Sequence, residues 1–425
     1  MIKFPSHFLA GACLALASAA SFAQALPTAK AEDVGLSSER LNRVGDWLRS
    51  EVQQKRIPGA VVLVGRAGKV AYFETIGQLD PARPEAMRPD SLFRIYSMTK
   101  PLVSVAAMML VEDGKLLLEA PVARYIPSFA NVKVGVEKLD AATGQKSLEL
   151  VAARRPVTVQ DLLRHTSGLT YGFFGDSLVK KAYLDAGVGV AGDFTNAEFA
   201  DKLAALPLHY QPGSTWDYSY STDVLGRVVE VVSGQSLYQF LKVRLLDPLG
   251  MNDTSFYVTE PARQARLAEP MADDRVIGAG AVMGNPRVAQ KFESGGGGLV
   301  STANNYARFL QMMLNGGELD GRRYLSPKTI EFMTADHLGT SVATTPLYLP
   351  GAGHGFGLGF AVRKVTGEAP FITPAGDYWW GGAGGTYFWV DPKTNMYVVF
   401  MMQSPRQRVA YRSVLRNMVY ASVVK

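Results

Sequence analysis

A serine and a lysine three positions apart form the first pattern in this sequence that could do chemistry. They bound the segment Ser-Met-Thr-Lys at 97–100, just before an apolar run over 101–111. Residues at i and i+3 of a helix share a face, so the Lys100 amine would reach the Ser97 hydroxyl. A serine hydroxyl is a weak nucleophile near neutral pH until a neighbouring base takes its proton. The pattern therefore predicts Ser97 as a nucleophile and Lys100 as its general base.

A buried helix is expected to carry this pair. Pro101 suits the first turn of a helix, where a missing backbone N–H costs nothing, and Asp113-Gly114 is a typical C-terminal stop signal. We therefore predict a helix that begins near Ser97. The N-terminus of a helix favours negative charge, and the oxyanion of an acyl transfer would develop beside Ser97.

A second Ser-x-x-Lys pattern occurs at Ser177 and Lys180. It lies in a stretch with glycine, aspartate and a further lysine, and no apolar helix follows it. The solvated surface of a helix explains this second pattern. We interpret it as structural and place the chemistry at Ser97.

Tyr218 is the candidate for a second proton-transfer group. It lies in a turn-rich segment, 212–221, directly before a helix predicted to begin near Thr222 or Asp223. A tyrosine close to a lysine base can pass a proton to the leaving group. The alternative is a buried tyrosine with a purely structural role, which the composition also permits.

Composition and charge exclude several other functions. The formal net charge of +6 is spread without long basic runs, so no nucleic acid partner is expected. No phosphate-loop pattern is present, which argues against a nucleotide. No metal site and no cofactor are predicted, because the histidines are scattered, with neither i+4 partners nor a Cys/His cluster. These histidines are His7, His165, His209, His337 and His354.

The first residues resemble an export signal. Residues 1–25 combine an early lysine with an apolar run over 8–22 and small residues at the end. They predict a signal peptide that is cleaved after Ala23 or Ala25, and the run is too short to span a bilayer. We therefore expect a secreted or periplasmic protein without stable membrane insertion after cleavage.

The order of elements predicts an α+β fold. An amphipathic helix follows Ser37, and the segment 101–290 is mostly helical pattern and loop. Because β-rich segments occur at both ends, we expect one antiparallel sheet flanked by helices, with the middle as an inserted domain. The predicted domains are 26–100 together with 291–425, and a mostly helical domain over 101–290. The β-rich segments are 60–65, 70–74, 356–365, 385–390 and 396–402.

Several motifs together resemble those of the serine β-lactamase and penicillin-recognising superfamily, on its class C branch. The chain is most similar to the family VIII carboxylesterases, whose Trp-Gly-Gly motif it shares. The resemblance implies a β-lactamase/transpeptidase-like fold, and the motifs follow the family's order over nearly the whole chain. They lie at 97–100, 161–169, 212–219 with 224–226, 294–302 and 380–382.

The resemblance assigns roles to individual positions. It implies that Ser97 is acylated, that Lys100 is the general base and that Tyr218 assists proton transfer to and from the leaving group. It also implies an oxyanion hole made by the backbone N–H groups of Ser97 and Ala383. Substrate contacts are expected at Trp380, Gly381 and Gly382. His165, within a stretch common across the superfamily, is interpreted as structural.

Two departures from the β-lactamase pattern favour an esterase. The second motif usually ends in asparagine and the third opens with lysine, whereas this chain has Tyr220 and Trp380 at those places. The missing lysine would bind the carboxylate of a penicillin, so its loss should weaken β-lactam recognition. An aromatic platform at Trp380 suits a neutral ester better. No Gly-x-Ser-x-Gly occurs, which argues against an α/β-hydrolase.

The sequence therefore predicts a serine hydrolase that cleaves small-molecule carboxylic esters through an acyl-enzyme on Ser97. The alternatives are a β-lactamase or D-amino-acid peptidase, an acyltransferase, and a non-catalytic scaffold, which would have no need of Ser97, Lys100 and Tyr218 together. Segments 171–175 and 348–351 are candidates for the pocket lining, and ordinary surface loops are the alternative for both.

Overall fold

The structure, a computed structural model, describes residues 25–189, 193–278 and 281–425 of the 425-residue chain. The predicted signal peptide, except Ala25, lies outside the described residues. The α-helices are α1 Ser38–Gln53, α2 Thr99–Glu112, α3 Val159–Leu163, α4 Leu178–Asp185, α5 Asn196–Ala204, α6 Ser221–Ser233, α7 Leu237–Leu241, α8 Pro261–Gln264, α9 Ala303–Leu314, α10 Pro327–Met333 and α11 Arg408–Tyr420. The strands are β1 Gly59–Arg66, β2 Lys69–Gly77, β3 Phe93–Arg94, β4 Lys133–Leu139, β5 Lys146–Ala152, β6 Val276–Gly278, β7 Ala281–Val282, β8 Val300–Ser301, β9 Glu318–Leu319, β10 Arg322–Arg323, β11 His354–Phe356, β12 Ala361–Arg363, β13 Tyr378–Gly381, β14 Tyr387–Asp391 and β15 Met396–Met402.

A seven-stranded sheet in the order β11-β12-β13-β14-β15-β1-β2 joins the two ends of the chain. Its centre is the antiparallel pair of β1 and β15, in register from Ala60 opposite Met402 to Arg66 opposite Met396. Both strands are apolar along almost their whole length, because helices cover both faces of the sheet. Helices α1 and α11 pack together, α1 packs on β1 and β2, and α9 packs on β1, β14 and β15.

Helix α6 is the centre of the helical part of the molecule and contacts α2, α3, α5 and α7. Helix α2 packs on α6, and the turn 96–98 just before it contacts β13 of the seven-stranded sheet. The residues around Ser97 therefore lie where the sheet meets the helices. The domain boundaries at residues 100 and 291 stay predictions.

Two details differ from the sequence-based expectation. The β-rich segment 356–365 contributes to two strands rather than one, because a turn that contains Gly359 at φ +97° separates β11 from β12. A side chain at Gly359 would collide with Ser104 Oγ of α2. The helical middle also contains the hairpin β4–β5, which is mostly exposed and so carries no apolar run that would reveal it.

Arg416→Met is expected to destabilise this fold strongly. Arg416 of α11 and Asp377, just before β13, form an ion pair in which both side chains are 0% exposed. Arg416 also donates a hydrogen bond to Tyr387 Oη on β14. Removing one partner of a buried ion pair leaves an uncompensated charge, so we expect the free energy of unfolding to fall by about 3–5 kcal/mol in urea denaturation.

The matched control is Arg43→Met. Arg43 pairs with Glu39 across one turn of α1, with side chains 61% and 79% exposed. Such exposed helical pairs contribute about 0.3–0.5 kcal/mol, so this variant should stay close to the wild type. Equal losses in the two variants would contradict the anchoring of α11 on the sheet by Arg416.

Candidate active site

Ser97 lies in a single 3₁₀ turn, Tyr96–Met98, between strand β3 and helix α2. The predicted helix start near Ser97 is thus found two residues later, at Thr99. Tyr96 has φ +43°, a left-handed conformation that costs free energy for any residue with a Cβ. Its side chain is fixed by a hydrogen bond from the Gly284 N–H to Tyr96 Oη, at 3.1 Å. A strained backbone therefore presents Ser97, which is half-buried.

Lys100 is buried beside Ser97. Lys100 is only 1% exposed, and its Nζ lies 3.3 Å from Ser97 Oγ. Nζ also donates to the carbonyl oxygen of Gly296 at 2.6 Å and contacts Tyr171 Oη at 3.1 Å. These contacts hold the amine at the end of a fixed side chain, facing Ser97.

Two of these partners were not assigned a role by the sequence. Tyr171 was expected only as a pocket-lining residue, and Gly296 acts through its main chain, which leaves no side-chain signal. Burial and the nearby Asp223 carboxylate raise the pKa of Tyr171 well above its usual value. Tyr171 therefore stays a neutral phenol beside the amine.

Tyr218 lies next to Lys100, as predicted, and its ring faces the amine. Lys100 Nζ is 4.5 Å from the centroid of the Tyr218 ring. The hydroxyl of Tyr218 accepts a hydrogen bond from Trp380 Nε1 at 3.1 Å. Tyr218 is 7% exposed, so its hydroxyl is fixed by the protein more than by solvent.

Trp380 therefore does more than the sequence suggested. It was expected as a platform for substrate, but it is only 3% exposed and uses its single donor on Tyr218. Its ring also makes an edge contact with Phe356 at 5.4 Å. The geometry gives Trp380 a direct part in orienting Tyr218, and it leaves little of the ring for a substrate.

The two glycines after Trp380 allow close approaches on either side of β13. A Cβ at Gly381 would lie 2.3 Å from the Arg412 guanidinium of α11, and one at Gly382 would lie 2.4 Å from the Ile95 carbonyl oxygen. Gly382 thus brings β13 against the segment that leads to Ser97. In the described part of the chain, the N–H of the next residue, Ala383, has no hydrogen-bond acceptor.

Several aromatic side chains pack around Tyr218. Tyr171 stacks on Phe173 at 4.8 Å, and Phe174 lies 6.0 Å from Tyr218, so the segment 171–175 does border the site. The other lining candidate, 348–351, lies farther out. Its Tyr348 packs on Trp216, which in turn stacks near Tyr218.

His165 lies closer to the site than its structural interpretation implied. Its ring centroid is 4.9 Å from that of Tyr218, and Nδ1 lies 3.3 Å from Ser219 Oγ. Burial, with a contribution from the charge of Lys100, lowers the pKa of His165 well below its usual value. A neutral imidazole therefore packs beneath Tyr218 without direct contact to Ser97.

The second Ser-x-x-Lys pattern is structural, but the prediction of a solvated helix surface is wrong, because Lys180 is only 4% exposed. Ser177 is the N-cap of α4, and its hydroxyl accepts a hydrogen bond from the Lys180 N–H at 3.0 Å. Lys180 Nζ turns away and donates to the Phe174 carbonyl. Within the described ranges no group of three or more His, Cys, Asp or Glu side chains could hold a metal ion.

Comparisons with known proteins extend over most of the chain. The family model described as beta-lactamase matches residues 44–419. An uncharacterized protein of Mycobacterium tuberculosis is 38% identical over 356 residues, which cover 82% of this chain and 86% of that protein. Esterase EstB of Burkholderia gladioli is 32% identical over 416 residues, which cover 93% of this chain and 98% of that protein. The solved structure of EstCE1, described as a hydrolase with promiscuous acyltransferase activity, has a TM-score of 0.74 at 28% identity and covers 90% of this chain and 98% of that chain.

Proposed function

Because the chain belongs to the beta-lactamase family, we propose that it cleaves carboxylic esters through an acyl-enzyme formed on Ser97. The family match and the esterase relatives confirm the fold class and the serine hydrolase predicted from the sequence. The covalent intermediate and the roles of single residues are proposed from the geometry of the site.

The hydrogen bonds around Lys100 carry this proposal. A neutral amine has two N–H donors and one lone pair. The Gly296 carbonyl and the Tyr171 oxygen can accept the two donors, which leaves the lone pair for the hydroxyl proton of Ser97 at 3.3 Å. This arrangement is that of a nucleophile with a positioned general base.

In the proposed first step, Ser97 Oγ forms a bond to the ester carbonyl carbon while its proton passes to Lys100 Nζ. The negative charge that develops on the carbonyl oxygen is bound by the N–H groups of Ser97 and Ala383. Collapse then breaks the bond to the leaving alcohol, which receives its proton through Tyr218. In the second step water attacks the acyl carbon and gives a proton to the same residues. The bond to Ser97 Oγ then breaks, Oγ takes up that proton, and the acid is released.

The chemistry of the site favours neutral esters as substrates. Where a β-lactamase has a lysine for the substrate carboxylate, this chain has the buried Trp380, whose donor is already used. The rings of Tyr171, Phe173 and Phe174 pack together beside Tyr218, and such an aromatic cluster suits an apolar acyl or alcohol group. A small-molecule ester is the partner that we propose.

The test compares hydrolysis of a short-chain nitrophenyl ester with that of a chromogenic cephalosporin by the mature protein. Ester turnover with a clearly smaller kcat/KM for the cephalosporin is expected. Comparable turnover of both would favour the β-lactamase alternative. Absence of labelling by a fluorophosphonate would favour a non-catalytic scaffold.

Trp380→Phe is expected to lower kcat about tenfold, because it removes the donor that holds Tyr218 Oη and such a bond contributes about 1 kcal/mol or more. KM for the nitrophenyl ester should change little, since an aromatic ring remains. Trp379→Phe is the matched control, because Trp379 Nε1 has no partner among the described residues. Equal kcat values in the two variants would contradict the orienting role of Trp380.

We also propose that the enzyme acts in the periplasm or outside the cell. The support is the sequence pattern of residues 1–25, with its apolar run and small residues at the end. Separately, none of the helices in the described residues is long and apolar enough to cross a membrane. Mass spectrometry of the exported protein, with an N-terminus after Ala23 or Ala25, would test the proposal.

A further inference from the structure

Asp223 is a buried carboxylate that the mechanism above does not use. It is the third residue of α6 and is 2% exposed. Its Oδ1 accepts hydrogen bonds from the Ser294 hydroxyl at 2.6 Å and from the Gly296 N–H at 3.0 Å. Its Oδ2 has no donor among the described residues. Burying a charged group without an ion pair costs free energy, so we expect Asp223 to have a role that offsets this cost.

Asp223 holds the turn Ser294–Gly296, and the same turn contacts Lys100. Gly296 donates its N–H to Asp223 and accepts Lys100 Nζ on its carbonyl oxygen at 2.6 Å. Gly295 and Gly296 can lie this close to α6 only because they have no side chains. A Cβ at Gly296 would lie 2.3 Å from Asp223 Oδ2, and a Cβ at Gly295 would lie 2.6 Å from the Thr222 carbonyl oxygen.

The charge of Asp223 also acts on the catalytic groups. Burial raises the pKa of Asp223, and the positive charge of Lys100 on α2 opposes that rise. The other titratable groups that face the carboxylate are Tyr171, in the loop after α3, and Tyr220, just before α6, and Asp223 raises the pKa of both. Both tyrosines are therefore neutral, and Lys100 is the group whose positive charge can compensate the negative charge of Asp223.

We propose that Asp223 is a positioning residue, which holds the Gly296 carbonyl against Lys100 and stabilises the ammonium group formed there when Ser97 gives up its proton. This inference rests on the proposed acyl-enzyme function. It acts through the Ser294–Gly296 turn, which lies within the motif at 294–302.

Asp223→Asn tests the charge, because the amide oxygen can still accept both hydrogen bonds. Misplacing or weakening a catalytic group costs up to about 100-fold, so we expect kcat for the nitrophenyl ester to fall about 10- to 100-fold with little change in KM. Removing a negative charge near Nζ disfavours its protonated form, so the acid limb of the pH profile of kcat should move to lower pH. An unchanged kcat and an unchanged acid limb in the folded variant would overturn the proposal.

Glu230→Gln is the matched control. Glu230 is another partly buried carboxylate of α6, and it holds Asn196 and the Leu237 N–H rather than the glycine turn. This variant should leave the pH profile in place. A shift of the acid limb as large as that of Asp223→Asn would mean that the effect is a general one of α6, and it too would overturn the proposal.

Ser294→Ala decides the question if Asp223→Asn does not fold. It removes one of the two bonds to Oδ1 and keeps the charge, so we expect kcat to fall about 3- to 10-fold, as for one lost hydrogen bond, with the acid limb unmoved. A kcat equal to that of the wild type would then overturn the positioning role. The wild-type assay separates failure of the proposed function from failure of the positioning role. If the proposed function is wrong, the wild-type protein itself will show no ester turnover and no fluorophosphonate labelling.

Discussion

Ser97→Ala is expected to lose ester hydrolysis by at least about 10⁴-fold in kcat, because a nucleophile and its base act as a unit and removal of the nucleophile ends covalent catalysis. The residual rate would come only from the oxyanion donors and from binding. Labelling by a fluorophosphonate should disappear as well. Ser97 is half-buried in a turn and caps no long helix, so the melting temperature should stay near that of the wild type.

Ser177→Ala is the matched control, since Ser177 belongs to the other Ser-x-x-Lys pattern. It should keep full ester turnover and full labelling. Because its hydroxyl caps α4, the variant should instead lose about 1 kcal/mol of unfolding free energy. Ester hydrolysis by Ser97→Ala at the wild-type rate would refute the acyl-enzyme mechanism.

Lys100→Met is expected to lower kcat for the nitrophenyl ester about 10²- to 10⁴-fold, which is the range for removal of a general base. Methionine has nearly the length of lysine but cannot accept a proton. The Gly296 carbonyl and Tyr171 would lose their partner, so some loss of stability is also expected. Acylation by the fluorophosphonate should slow by a similar factor, because the same base activates Ser97.

The control for this variant is Lys115→Met, an exposed lysine just after α2 whose ion pair in the described part of the chain is with Asp113, at 3.6 Å. It should retain the wild-type kcat. The pH profile adds a second criterion, since the acid limb due to the base should be absent in Lys100→Met. A Lys100→Met enzyme with wild-type acylation kinetics would assign the base role to another group, with Tyr218 as the first to examine.

Parts of this molecule could be predicted because they depend on short stretches of sequence. The serine and lysine of the first motif lie one turn apart, so their spacing makes it possible for Nζ to come within 3.3 Å of Oγ. The same spacing at Ser177 and Lys180 does not bring the two groups together, because Lys180 Nζ bonds to the Phe174 carbonyl instead. The strands β1 and β15 are apolar on both faces, which marks them as central strands under two layers of helices. The split of 356–365 into two strands escaped prediction, because the close approach of Gly359 to Ser104 is a contact between distant parts of the chain.

The sequence by itself predicted Ser97 as the candidate nucleophile and Lys100 as its candidate base, and it determined the order of the motifs and, through the family resemblance, the fold and the class of enzyme. Only the tertiary structure decided what surrounds Lys100. Tyr171 is 71 positions from Lys100 and Gly296 is 196 positions away, and one of them acts through a backbone carbonyl that any residue possesses. The same holds for the donation from Trp380 to Tyr218 across 162 positions. Spacing along the chain reports local geometry, whereas the site is assembled by packing α2, α6 and β13 together, so its hydrogen bonds follow from the fold.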